Sequence, residues 1–503
     1  MGFGKWGIRF KIDRAYYLKE IVGKFRVMKM VFRVWFSALV FFATPTLVEA
    51  AEKGIPHLDG ALLSIWWLVP FGGILLSIAF LPLLAPHFWK LHYGKVALFW
   101  AGGLMSCLFA EFGFSVAFYE FLHTMLLAYM PFIILLLCLF TVAGGIVIKG
   151  TLKGSPVLNV AMLISGTLLA SWIGTTGAAM VLIRPLLRAN QWREKKSHVV
   201  IFFIFLVANV GGSLTPLGDP PLFLGFLNGV DFFWPTMHML GPMMLVSSLL
   251  WGIFYLLDSY YYQREPEKER QKNDQIEGML GLEGGFNIIL LLAAVETVLI
   301  SGLWTPETNF EVFHVVVRLE NVVRDVVLLW IAFVSVKVTP PIIHERNDFT
   351  WHPILEVAKL FVGIFVTIIP VIAMIKAQSN SFVKLMVQLL FTAEGEPRNG
   401  FIFWVTGIHS SLLDNAPSYL VFFNALGGNA YELMNDMPGS LLAISAGSVF
   451  MGALTYIGNA PNFMVKSIAE DMSYEMPSFF GYIFKYAIPI LVPIFIIVTI
   501  FFF

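Results

Sequence analysis

Two carboxylates, Asp219 and Asp414, stand inside stretches that are otherwise strongly apolar. An ionised carboxylate at membrane depth costs several kcal/mol unless it is paired, hydrated or protonated. Short side chains with oxygen ligands lie in the same four segments: Thr175 and Thr176, Ser213 and Thr215, Asn415, and Thr455 with Asn459. Carboxylates, hydroxyls and amide oxygens form a set that suits a small cation such as Na⁺, or a proton in its absence. They repel a di- or tricarboxylate. A site that accepts either Na⁺ or protons is the core of an exchange mechanism. The bland roles are clear as well. Asp219 can cap a helix that starts at Pro220, and Asp414 one that starts near Ala416. Each threonine can bond the backbone of its own helix.

These residues must be positioned by interrupted helices. The decapeptide Gly212–Pro221 (GSLTPLGDPP) recurs in altered form at Gly452–Pro461 (GALTYIGNAP), with five of ten positions identical and Asp219 replaced by Asn459. In both copies glycine (Gly212, Gly218, Gly458) lets the backbone leave the helix, and proline (Pro220, Pro221, Pro461) hinders its resumption. Two further apolar pairs of arms carry a polar tip. One is Val157–Ile173 and Ala178–Leu187, joined by Gly174–Gly177. The other is Phe401–Leu413 and Tyr419–Leu426, joined by Asp414–Pro417, with Pro417 as the breaker. The decapeptides are offset by 240 residues and the tips by about 239, which maps Asp414 onto Thr175. Paired helix breaks in corresponding halves point to a transporter binding site near the bilayer midplane.

The 503 residues are 58% hydrophobic and 13% charged, and apolar runs such as Ala61–Leu84, Met125–Ile148, Met237–Leu257 and Phe479–Phe503 are long enough to cross a hydrocarbon core. The fold expected is an all-α polytopic membrane protein. Zero net charge suggests no nucleic-acid partner, and Cys107 and Cys138 lie in separate apolar segments without metal or disulfide spacing. Residues 1–50 read as a basic extension followed by a signal-peptide pattern, Val34–Ala50. Lysine and arginine in the loops after residues 84, 148 and 187 place those loops in the cytoplasm. Arg184 can then neutralise an acid or reach the cytoplasm. His409 reads as a packing residue, and Glu356 and Lys359 as a simple pair. On this walk residues 51–262 and 285–503 form two inverted-topology repeats. Each has about five transmembrane helices, a re-entrant hairpin and a broken helix. The charged segment 263–284 reads as a cytoplasmic linker.

Leu413–Pro417 (LDNAP) resembles the hairpin motif of NhaD-type Na⁺/H⁺ antiporters and arsenite-pump relatives. Gly211–Pro221 resembles the GGN-x-T-x-x-GDPPN motif of the same ion-transporter superfamily, over residues 60–503. Ser213 and Leu222 stand where that motif has asparagine, and Gly174–Gly177 (GTTG) replaces the Ser-Asn-Thr signature of dicarboxylate carriers. The chain is similar to bacterial proteins named variously as sodium:proton antiporters and citrate transporters. The resemblance implies a homodimer in the bacterial inner membrane, with a scaffold, a mobile transport domain and elevator-type alternating access.

The leading expectation is secondary exchange of Na⁺ or Li⁺ for protons at Asp219 and Asp414, with Thr175, Thr176, Asn415, Ser213, Thr215, Thr455 and Asn459 completing the shell. The alternative is a Na⁺- or H⁺-coupled citrate or organic-anion symporter, and a further one an arsenite-type efflux subunit. The transported ions are the only small partners expected besides lipid. No nucleotide-binding, zinc-protease or dinucleotide motif is present, so neither an enzyme nor a resident cofactor is expected.

Overall fold

The structure, a computed structural model, describes residues 56–150, 152–274 and 281–503. The signal-peptide reading of Val34–Ala50 lies outside the described residues. After two short 3₁₀ turns, Gly60–Leu62 and Ile65–Leu68, the chain forms α1 (Val69–Leu84) and α2 (Pro86–Thr124). Residues 114–124 are helical up to the start of the apolar run Met125–Ile148. The helix kinks at Gly113, whose φ of 82° glycine adopts freely. The helix runs on through a π turn into α3 (Met130–Gly144).

The first hairpin is α4 (Pro156–Ile173) and α5 (Thr175–Asn190), followed by α6 (Ser197–Leu206), the 3₁₀ turn Val210–Ser213 and α7 (Pro220–Leu227). A long α8 (Trp234–Arg264) and a short α9 (Glu267–Asp274) lead to α10 (Gly285–Leu303). Two described parts of the segment 263–284 are regular, α9 and the end of the segment. Its end, β2 (Gly281–Glu283), pairs antiparallel with β1 (Val147–Lys149), and Glu283 bonds both Lys149 and Arg346. A second hairpin that sequence periodicity did not suggest, β3 (Asn309–Val312) with β4 (Val315–Arg318), precedes α11 (Leu319–Val338).

The chain continues with α12 (Pro341–Arg346), α13 (His352–Thr367), α14 (Ile369–Ala377) and α15 (Ser381–Gln388). The second hairpin is α16 (Asn399–Leu413) and α17 (Asn415–Ala425). After α18 (Ala430–Asn435), the helix α19 (Pro438–Met451) breaks at Gly452–Leu454 and resumes as α20 (Ala460–Asp471). A short α21 (Phe479–Tyr482) and α22 (Ile488–Phe502) end the chain.

Among the described residues seven helical stretches are long and apolar enough to cross a membrane, and Ser197–Ser213 and Pro438–Leu454 are shorter apolar helices. Helices α1, α2 and α13 pack together, as do α3, α10 and α11. The interrupted segments pack mainly on one another. Helix α4 lies on the turn at Val210–Ser213 and on α8, α16 lies along α19, and α17 crosses onto α7. The two pairs of arms and the two broken helices therefore share one polar centre, covered by uninterrupted apolar helices.

The breaks are held by close backbone approach. A Cβ on Gly218 would come within 2.7 Å of the Gly212 carbonyl carbon, and one on Gly458 within 3.1 Å of the Gly452 carbonyl carbon. We therefore expect Gly218→Ala to destabilise the protein by about 1–3 kcal/mol through overpacking against backbone that cannot yield. An alanine at Gly103, where an added methyl meets nothing within 4 Å, is the control. Thermal unfolding of both purified variants checks the difference.

Candidate cation site

Each tip is one residue, not four. Gly174 turns at φ 79°, ψ 150° and Asp414 at φ 83°, ψ 147°. Residues 174 and 414 are 240 apart, the decapeptide offset, so Asp414 corresponds to Gly174 and Asn415 to Thr175. This corrects the mapping of Asp414 onto Thr175, which rested on motif spacing and could not see where the backbone reverses. A non-glycine residue at such angles costs of order 1–3 kcal/mol. Asp414 offsets part of that by capping its arm, its Oδ1 accepting from the Ala416 amide at 3.3 Å.

Asp219 is the point where all four interrupted segments meet. It begins α7 at the first break, yet its side chain caps nothing. Its Oδ1 accepts from Thr175 Oγ1 (3.1 Å) at the first tip and from Asn459 Nδ2 (2.9 Å) at the second break. Its Oδ2 accepts from Asn415 Nδ2 at the second tip. Thr175 and Asn415, equivalent positions of the two hairpins, thus bind the same carboxylate. All four residues are buried. The Thr175 amide also donates to Gly218 O at 2.9 Å, tying the tip to the break.

The hydroxyls further along hold the breaks. Thr215 Oγ1 donates to Ser171 O, and Thr455 Oγ1 donates to Ser411 O at 2.6 Å, again 240 residues on. Each also accepts an amide two residues ahead, Leu217 and Ile457, both at 3.2 Å. Ser213 Oγ donates to Val210 O at 2.8 Å. Among the described residues no hydrogen bond joins Thr176, which is half-buried, or Asp414 to Asp219.

Sequence reasoning missed two asparagines. Asn209 Nδ2 donates to Asn462 Oδ1 at 2.7 Å, across the two halves, and Asn462 Nδ2 donates to the carbonyls of Gly452 and Thr455, both at 2.9 Å. The signal was available for Asn462, because Gly458–Asn462 (GNAPN) carries the terminal asparagine that Leu222 lacks in the first copy.

The balance of donors and acceptors defines what this centre can bind. Pro220 and Pro221 have no N–H, and the next two amides, Leu222 and Phe223, both donate to Asp219 O. Pro461 and Pro417 remove one donor each from α20 and α17. The N-terminus of α7, which carries Asp219, therefore has little left to offer an anion. Acceptors are in surplus: Asn415 Oδ1 and Asn209 Oδ1 are buried and, among the described residues, have no donor. One buried acid and two unmatched amide oxygens suit a small cation.

Other intramembrane polar groups have local partners. Arg184 reaches Asp348 (3.3 Å), whose side chain is 78% exposed, so it extends to solvent rather than to Asp219. His409 bonds Ser418 (2.7 Å) and packs on Phe422. Glu356 lies nearest His352 (3.7 Å), while Lys359 sits over the Tyr93 ring instead of pairing with Glu356. Arg193 is no solvated loop charge. It is fully buried against Asp258 at 2.6 Å.

Long apolar helices around a buried polar centre define a multi-pass membrane protein of the transporter class. The chain belongs to the family described as "Putative citrate transport", whose model matches residues 60–503. No curated protein matches the sequence.

Proposed function

We propose that this protein is a secondary active transporter of a bacterial plasma membrane in which Na⁺ (or Li⁺) and protons compete for Asp219, so that one is exchanged for the other. The observation that carries this reading is the single buried carboxylate shared by both hairpin tips and the second break, beside unmatched acceptors. Thr175, Asn415 and Asn459 position it. Asp414 stands at the rim as a second acid, and Thr176, Ser213, Thr215 and Thr455 supply oxygens or hold the breaks.

Two inverted repeats, 51–262 and 285–503, carry the site in this reading. Equal hydrogen bonds 240 residues apart, at Thr215 and Thr455, support that relation. The interrupted segments move as one body past the uninterrupted helices, in a homodimer, giving elevator-type alternating access.

The test is a pH dye in everted vesicles. Addition of Na⁺ or Li⁺ to an imposed proton gradient is expected to release protons from the lumen. No cation-dependent signal in the wild type would sink exchange. The family's description favours a second reading, in which the cation at Asp219 drives citrate or another organic anion. Labelled citrate uptake that follows the cation gradient, without cation/proton exchange, would establish it instead.

A further inference from the structure

Helix α11 belongs to the uninterrupted set, yet it carries a buried charge that touches the site-bearing helix. Arg324 is 1% exposed. Its guanidinium lies 5.8 Å from the centroid of the Phe223 ring, one turn beyond Asp219 on α7. Two of its nitrogens are tethered: Nε to Asp325 Oδ1 and Nη1 to Asn321 Oδ1, both at 2.9 Å. The third, Nη2, has no hydrogen-bond partner among the described residues.

One turn earlier on the same helix is Glu320, also buried. Its Oε1 lies 3.8 Å from Arg318, and its Oε2 has no partner among the described residues. Residues four apart face each other on a helix, and Glu–Arg pairs at that spacing attract. Here the two unmatched atoms of opposite charge share a face, and among the described residues they form no ion pair. The guanidinium is drawn to the Phe223 ring instead, a cation–π contact strengthened by its dry surroundings.

We infer that Arg324 is a latch with two alternative partners: the Phe223 ring of α7 in the state seen here, and Glu320 on its own helix once α7 has moved away. Asp325 and Asn321 act as the pivot, so only Nη2 changes partner. An element with two discrete arrangements can bias a global two-state equilibrium. The latch rests on the alternating-access reading and adds the contact that holds one of its states.

The test places a single cysteine at Thr176, the half-buried tip residue, in the full-length protein with Cys107→Ser and Cys138→Ala, in proteoliposomes, and measures its labelling by an impermeant maleimide from each side. Phe223→Leu, which removes the ring but keeps apolar volume, is expected to shift the ratio of the two accessibilities by about tenfold. Glu320→Gln is expected to shift it the opposite way. In an Arg324→Gln background neither substitution should have an effect. Shifts in the same direction, or shifts that persist without Arg324, overturn the latch while leaving alternating access intact. A cysteine labelled from one side only, under every cation condition, overturns alternating access itself and the latch with it.

Discussion

Asp219→Asn should abolish cation-driven transport while leaving a folded protein. A unit charge 4 Å from a cation contributes about 4 kcal/mol at an effective dielectric of 20, or about a thousandfold in affinity. Removal of the charge leaves only neutral oxygens. The substitution also puts an amide where three donors converge, from Thr175, Asn415 and Asn459. Only one of the two polar atoms of the introduced amide would accept, so a loss of about 1–3 kcal/mol in stability is expected too. Cation-dependent thermal stabilisation separates the two effects: the variant should melt cooperatively but no longer be stabilised by Na⁺ or Li⁺. Wild-type stabilisation by Na⁺ in Asp219→Asn would remove this residue from the site. Asp414→Asn makes the contrast. Asparagine tolerates the positive φ and can still cap, so a loss of about tenfold in cation affinity is expected, not abolition. Asp219→Asn combined with Asn459→Asp should not restore transport. The charge would return on the opposite break, but an acid at 459 would face Ala208 O, which now accepts a hydrogen bond from Asn459 Nδ2 at 2.9 Å.

Asp258→Asn should cost about 3–5 kcal/mol of stability, the usual cost of leaving one member of a buried ion pair alone. Both Asp258 and Arg193 have fully buried side chains. Oδ1 of Asp258 faces Arg193 Nη1 at 2.6 Å and His198 Nε2 at 2.7 Å, and Oδ2 accepts from Asn159 at 2.9 Å. Asn159 and Asn190 exchange two further hydrogen bonds, at 2.9 and 2.8 Å. The network ties both arms of the first hairpin, the turn after it and α6 to α8, so its loss should loosen the tip that presents Thr175. Pairing Asp258→Asn with Arg193→Met should recover much of the loss, because the uncompensated charge is gone. Thermal unfolding of the wild type and these variants reads this directly. A single variant that melts with the wild type would mean that packing alone secures the hairpin.

Helical class, the breaks and most candidate residues were legible in the sequence for simple reasons. Long apolar runs have no stable home outside a membrane or a core. Glycine and proline interrupt a helix through local sterics wherever they stand, and that marked residues 212–221, 452–461 and both hairpin tips. What local patterning could not supply was which oxygen faces which donor. Asp219 and Asp414 looked alike as two acids in two apolar segments. The fold turns the Asp219 side chain into the meeting point of Thr175, Asn415 and Asn459, while Asp414 spends its side chain on the Ala416 amide and its backbone on the reversal. The charge of Arg193 reads as cytoplasmic in sequence, because a turn rich in lysine and arginine is usually solvated. Only its contact with Asp258, 65 residues away in the chain, shows it to be interior. Sequence determines where the helices must break and which side chains are present at the breaks. Tertiary structure alone decides that four breaks, far apart along the chain, converge on one carboxylate, because that depends on the packing of segments about 240 residues apart.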